Sequence, residues 1–328
     1  MFIPPQEPKK TGVLLINLGT PAAPNIKAVR KYLREFLNDP RVIELPTLLR
    51  WILVNIFILP FRPAKSAKAY QKIWQAEGSP LLLYSQKLQQ TLAQQLGENY
   101  QVELGMRYGQ PNLLTALRNL KSCNKILLLP LFPQYSSAVT GSALAECFKE
   151  IANWKTIPAL AMQQEFYNHP GFINAFAKNI QTSVMNTQLD LILFSYHGLP
   201  QRQLQKSANT NIFDYRQQCL ATSEAIAEAL QLTPQDYQVA FQSRLGKTPW
   251  IKPYTDEVLA QLATQGIKRI AIVCPSFVTD CLETLEEIGI RAKQQWQQLG
   301  GEELILVPCL NHDPAWVDAL QTMIYAME

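Results

Sequence analysis

Short, almost wholly apolar runs alternate along this chain with longer stretches whose apolar residues recur at helical spacing. The clearest runs are Val13–Leu18 (VLLINL), Lys125–Leu129 (KILLL), Leu189–Phe194 (LDLILF) and Arg269–Val273 (RIAIV). Runs this short and continuous predict strands buried on both faces, as in a parallel sheet. Leu81–Leu96, Gln217–Leu230 and Thr255–Gln265 carry the spacing of amphipathic helices. The alternation predicts an α/β protein built from β-α-β units.

Similar loops follow these strands in the same order in each half. Gly19-Thr20-Pro21 closes the first strand, and Gly198-Leu199-Pro200 follows Leu191 to His197. Later in each half a strand ends in Pro130-Leu131-Phe132 or Pro275-Ser276-Phe277. The spacing between the two pairs differs, so the signal is a diverged duplication into two similar domains. Ligands of open α/β sheets bind beyond the carboxyl ends of the strands, which predicts that these four loops line one cleft. No G-x-G-x-x-G or G-x-x-x-x-G-K-[ST] occurs, removing the usual nucleotide fingerprints.

One segment breaks the pattern. Leu45–Phe61 (LPTLLRWILVNIFILPF) is the longest apolar stretch, yet Arg50, Asn55 and Pro60 leave it short of the ~20 residues a spanning helix needs. The pattern alone predicts a buried helix. Trp51, Ile52, Leu53, Ile56, Phe57 and Ile58 nevertheless occupy more than one helical face, so the segment needs cover from protein, ligand or lipid. Met1–Lys10 is Pro-rich and polar, lacks the features of a signal peptide, and is expected to be a short tail.

Composition narrows the function. The 328 residues suit two domains, and 47% hydrophobic with 17% charged residues describes packed globular structure. Thirty basic against 26 acidic side chains leave +4, too little for a nucleic-acid binder but mildly favourable to an anionic substrate. The cysteines, at 123, 147, 219, 274, 281 and 309, form no C-x-x-C pair, so zinc-ribbon and thioredoxin readings lack their spacing; reduced thiols in a cytoplasmic protein are expected. Only His169, His197 and His312 offer an imidazole.

His197 ends a buried strand where Gly198 and Pro200 force a turn, a position suited either to proton or metal chemistry or to a loop hydrogen bond. Asp280, Glu283 and Glu287 fall at i, i+3 and i+7, predicting one helical face. That spacing fits a carboxylate ladder leading inward, and Asp280-x-x-Glu283 equally fits a capping box.

Together, several motifs resemble ferrochelatase, the enzyme that inserts Fe²⁺ into a porphyrin. They are Leu15-Ile-Asn-Leu-Gly-Thr-Pro21, Gly78-Ser-Pro80, Gly105-Met-Arg-Tyr108, Pro133-Gln-Tyr-Ser-Ser137 through Thr140-Gly-Ser142, Ser195-Tyr-His-Gly-Leu-Pro200, Phe241-Gln-Ser-Arg244, Pro249-Trp250 and Glu283-Thr-Leu-Glu-Glu287. The resemblance covers residue 11 to the end. It implies the type II chelatase fold, two Rossmann-like domains (11–162 with 311–328, and 163–310) around a porphyrin cleft. It also implies a lyase of haem biosynthesis that joins protoporphyrin IX and ferrous iron as substrates, with no prosthetic group.

Site roles follow from the same resemblance. His197 and Glu283 would face each other across the ring as metal ligands or proton acceptors, with Asp280 and Glu287 extending an acidic path. Leu18 would pack on the ring, Arg62 and Ser79 would take its propionates, and Arg107, Tyr108, Tyr135, Ser136, Ser243 and Trp250 would complete the pocket. His169 is expected to be structural and His312 to lie on the surface. The segment 45–61 becomes a lip over the cleft that can rest peripherally on the inner membrane, with the protein itself expected in the cytoplasm. Cys281 stands where some relatives have histidine, and Cys309 lacks the neighbouring cysteines of a [2Fe–2S] site, so no cluster is expected. Coproporphyrin III as substrate, a cobalt chelatase, and a porphyrin carrier without catalysis are the competing readings.

Overall fold

A computed structural model describes residues 10–208, 214–246 and 248–328; residues 1–9, which include most of the expected tail, lie outside them. The chain forms two four-stranded sheets in which every pairing is parallel. The first holds β1 (Thr11–Thr20), β2 (Tyr100–Gly109), β3 (Lys125–Pro130) and β4 (Ala159–Met162), in the order β2-β1-β3-β4. The second holds β5 (Leu191–His197), β6 (Tyr237–Gln242), β7 (Arg269–Val273) and β8 (Glu303–Leu306), in the order β6-β5-β7-β8. The two orders are the same, as the duplicated loops led us to expect.

In both sheets the chain crosses first to one side of the starting strand and then to the other. The switch points therefore fall at the carboxyl ends of β1 and β3, and of β5 and β7, where a crevice opens. Gly19-Thr20-Pro21, Pro130-Leu131-Phe132, His197-Gly198 and Pro275-Ser276-Phe277 occupy those four ends. Val13, Leu14, Leu15 and Ile16 are 0% exposed, because helices cover both sheet faces and leave the central strands no polar side. The core continues from one sheet to the other. The C-terminal helix Pro314–Ala326 packs on both Pro80–Leu96 and Pro170–Val184, and its Trp316 ring lies 5.4 Å from Phe166 and 5.9 Å from Phe172.

The apolar segment does not form the buried helix that its pattern suggested. It folds as Thr47–Ile52 followed by a π-wound turn, Leu53–Ile58, and then bends by 66° into the helix Arg62–Ile73. Val54 and Leu59 reach the core, but Leu48, Trp51, Phe57 and Phe61 are 53–76% exposed. Too many faces are apolar for one side of contact to cover. No single helix among the described residues is long and apolar enough to cross a membrane.

Candidate active site

His197 ends β5 and is held on several sides. Its N–H donates to Ser276 Oγ at 3.0 Å, and its carbonyl accepts from Tyr215 Oη at 2.7 Å. Nδ1 lies 2.6 Å from the Gly198 carbonyl, which can only accept, so Nδ1 carries the proton and the lone pair resides on Nε2. The ring stands 6.1 Å from Phe277 and 6.4 Å from Trp250. A methyl group built on Gly198 would sit 2.9 Å from the Gln242 carbonyl, so the absence of a side chain lets this turn close against β6.

After β7 the chain runs through Asp280 into a ten-residue π-wound helix, Glu283–Ala292. Asp280 precedes that helix, so the expected one-faced ladder of Asp280, Glu283 and Glu287 does not form. The Asp280 carboxylate turns into the protein, accepting from Asn311 Nδ2 and Thr284 Oγ1 at 2.8 and 2.9 Å and from the Cys309 N–H at 3.3 Å. It ties the helix start to the segment after β8, and no Asp280–Glu283 capping box forms, since Thr284 Oγ1 accepts the Cys281 N–H instead. Glu287 accepts both the N–H and the Oγ of Ser243, at 2.9 and 2.6 Å. Ser243 makes that double contact with φ at +66°, a left-handed backbone that a serine adopts only where its surroundings impose it. Glu283 remains half-buried at the head of the helix, with its main-chain carbonyl accepting from Gln242 Nε2 at 2.8 Å. His197 ends β5 and Glu283 heads the helix that follows β7, so both belong to the half of the chain built on the second sheet.

The first sheet supplies a second group of polar side chains. Ser79, at the start of the helix Pro80–Leu96, accepts from Thr20 Oγ1 at 2.8 Å, and Leu18 packs beside Tyr32 and Tyr70. Burial pushes the phenols of Tyr32 and Tyr70 well above their ordinary value, and the Glu283 carboxylate pushes the same way. Arg62 is half-buried beside Glu283; burial draws its guanidinium below the usual value against that attraction, and its buried Nη1 has no hydrogen-bond partner among the described residues. Tyr135 is placed by its N–H, which donates to Gln218 Oε1 at 2.7 Å, and the buried Ser136 opens the short π turn Ser137–Gly141.

Arg107 and Tyr108 do not stand free. Arg107 Nη2 and Tyr108 Oη both reach Asp39 Oδ2 at 2.8 Å, and Ser142 Oγ joins at 2.5 Å. Burial opposes ionisation of Asp39, but hydrogen bonds from Ser142, the Arg41 N–H and Tyr108, with Arg107 alongside, hold its carboxyl below the ordinary value. A depressed carboxylate contributes stability above its unfolded pKa and loses it as pH falls through the folded one. Asp39→Asn is expected to cost about 1–3 kcal/mol at pH 7. Urea denaturation near pH 3 should show that difference shrinking; an unchanged difference would place the stabilisation elsewhere.

The other histidines divide. His169 caps the helix Pro170–Val184, accepting the Gly171 N–H on Nδ1, as its structural reading requires. His312 is half-buried rather than free on the surface: its ring stacks on Tyr84 at 6.2 Å and its Nδ1 is buried. All six cysteines are buried free thiols, and Cys281 lies against Glu283. Among the described residues no three His, Cys, Asp or Glu side chains are grouped to hold a metal ion. Tyr32, Tyr70 and Asp39 were not singled out from the sequence, and Gln242 was quoted only within a motif, because each owes its place to partners distant along the chain.

Comparison with known proteins bears on this cleft. A family model described as Ferrochelatase matches residues 10–327. Ferrochelatase of Legionella pneumophila is 52% identical over 96% of this chain and 98% of its own, and that of Coxiella burnetii is 50% identical over 96% and 93%. Among solved structures, SirB from Bacillus subtilis with Fe³⁺ superposes with a TM-score of 0.57 at 11% identity, covering 97% of this chain and 95% of that one, a likeness of fold alone. With two parallel sheets opening at matching switch points and sequence identity across nearly the full length, the chain belongs to the ferrochelatase family, metal-inserting lyases of haem biosynthesis.

Proposed function

We propose that the cleft takes protoporphyrin IX and Fe²⁺ and releases protohaem and two protons, with His197 and Glu283 as the reacting pair. The observation that carries this reading is the tautomer of His197. Its Nδ1–H is committed to Gly198, which leaves the lone pair on Nε2, and Gln242 beside it in the register ties down the main chain of Glu283. Metal insertion requires two pyrrole N–H bonds to lose their protons while Fe²⁺ exchanges water for the four ring nitrogens. Imidazole nitrogen accepts a proton near neutral pH, and a carboxylate receives either a proton or a hard-to-borderline cation. Nε2 takes one pyrrole proton, gives it to solvent and takes the second, while Glu283 presents its carboxylate to the iron as water leaves.

The neighbouring groups hold these two and the ring. Asp280 anchors the head of the π-wound helix, and Glu287, pinned by Ser243, sits further along it. Trp250 and Phe277 flank His197 as apolar surface for a flat macrocycle. The ring packs against Leu18, with Tyr135, Ser136 and the Asp39-bound pair Arg107 and Tyr108 at its edge. Arg62, whose buried Nη1 has no hydrogen-bond partner among the described residues, and Ser79 receive propionate carboxylates by charge-assisted hydrogen bonds. The two halves of the chain, 11–162 with 311–328 and 163–310, act as the cleft's two walls. Anaerobic incubation with protoporphyrin IX and Fe²⁺, followed by absorbance, tests the reading: catalytic conversion supports it, and stoichiometric binding without conversion would mark a carrier instead.

The lip 45–61 serves as a peripheral membrane contact in the same proposal. Its Leu48, Trp51, Phe57 and Phe61 all expose apolar side chains. Between residues 26 and 73 ten basic side chains meet three acidic ones, a bias that suits an anionic lipid surface. The double variant Trp51→Ser/Phe57→Ser is expected to lower sedimentation with anionic vesicles at least ~10-fold, since each aromatic removes a large apolar area from the contact. If vesicle binding and porphyrin affinity both stayed at the native level, the lip would have no such role.

A further inference from the structure

The two proposed reacting groups are joined by one buried side chain. Gln242 ends β6 directly beside His197 in the β5–β6 register, and its main-chain carbonyl accepts the Gly198 N–H at 2.8 Å. Its side chain, in a residue only 3% exposed, runs the other way: Nε2 donates to the Glu283 carbonyl at 2.8 Å. Oε1 accepts from Ser195 Oγ at 2.7 Å and faces the Cys274 thiol at 3.5 Å. Ser195 has one proton and gives it to Gln242, so Thr255 Oγ1, 2.8 Å away, must donate to Ser195. The direction of the amide is therefore dictated, since the Glu283 carbonyl accepts and the Ser195 hydroxyl donates.

Glu283 thus has two described anchors. Asp280 ties the helix head to Cys309 and Asn311, on the side of β8, and that anchor does not include His197. Gln242 ties the helix head to the strand edge that carries His197. We propose that Gln242 is a positioning residue that sets the separation of His197 Nε2 and the Glu283 carboxylate, an inference that rests on the roles assigned above to those two groups. It touches neither reacting atom. It acts because a buried hydrogen-bonded network holds a fixed geometry, whereas a helix head freed from it drifts.

The test compares steady-state Zn²⁺ insertion into protoporphyrin IX by the native protein, Gln242→Leu, Gln242→Glu and Glu283→Gln. Gln242→Leu keeps the volume and removes the donor, so kcat should fall roughly 10–100-fold, as for a displacement of about 1 Å, with KM for the porphyrin nearly unchanged. Gln242→Glu adds a titration. Its neutral carboxyl donates O–H to the Glu283 carbonyl, and its ionised form cannot, so its rate relative to native at each pH should be highest at low pH and fall as pH rises, while the leucine ratio stays flat. A native kcat in Gln242→Leu, or a loss expressed as raised KM, would overturn the proposal. Should the leucine variant fail to fold, a flat pH ratio for Gln242→Glu would overturn it equally. Native turnover by Glu283→Gln would instead remove the role of Glu283 and the inference with it.

Discussion

His197→Ala is expected to lower kcat for metal insertion by roughly 10²–10⁴-fold, the range a positioned general base supplies, while porphyrin still binds. The size follows from how few groups can replace it. The structure commits Nδ1 to the Gly198 carbonyl, so the imidazole works through one nitrogen, and the remaining histidines are placed elsewhere: His169 caps a helix and His312 stacks on Tyr84. Alanine also removes the ring between Phe277 and Trp250, so some loss of porphyrin contact accompanies the loss of base. Fluorescence titration with protoporphyrin separates the two effects. A small change in binding with a large fall in kcat fits the base role; a large change in binding that accounts for the whole loss would reduce His197 to packing.

Gly19→Ala is the substitution expected to damage the fold most. Gly19 has φ of +112°, outside the ordinary range of residues with a side chain, and a methyl group there would lie 1.7 Å from the Tyr108 carbonyl oxygen. Gly19 and Tyr108 are register partners in the β1–β2 ladder, so the clash is backbone against backbone and no rotamer relieves it. Strain of about 1–3 kcal/mol and overpacking of about 1–3 kcal/mol together suggest a loss near 3 kcal/mol or more. For a domain of this size that lowers Tm by roughly 6–12 °C. Gly97→Ala is the matched control: φ is +78°, but nothing lies within 4 Å, so only the backbone strain remains. Equal losses in the two variants would show that the close approach of β1 and β2 is not what requires glycine.

What the sequence made legible divides along physical lines. Val13–Leu18, Lys125–Leu129, Leu189–Phe194 and Arg269–Val273 lie within or overlap β1, β3, β5 and β7, the central strands, which are covered on both faces and so read as unbroken apolar runs. The strands that went unseen, β2, β4, β6 and β8, are all edges. Their polar positions, such as Gln101 and Glu103 in β2 or Gln238 in β6, dilute the signal, and β4 and β8 are only four residues long. His197 was legible because histidine is scarce and the Gly-Pro turn after it is local. Asp280 misled because i, i+3, i+7 spacing assumes the α-helix continues through it, whereas the helix begins after it and winds as a π-helix. Gln242 stood in the Phe241-Gln-Ser-Arg244 motif but was given no role, since its contacts to Ser195 and Glu283, with Thr255 behind Ser195, are brought together only by the parallel sheet.

Glu283, whose main chain Gln242 ties to the strand end that carries His197, is the group on which the proposed reaction most directly depends. Under anaerobic conditions, with saturating protoporphyrin IX and Fe²⁺, the native protein should form protohaem catalytically, and Glu283→Gln should bind the porphyrin as tightly yet form protohaem at least ~10²-fold more slowly. Protohaem formation at the native rate by Glu283→Gln would contradict that dependence.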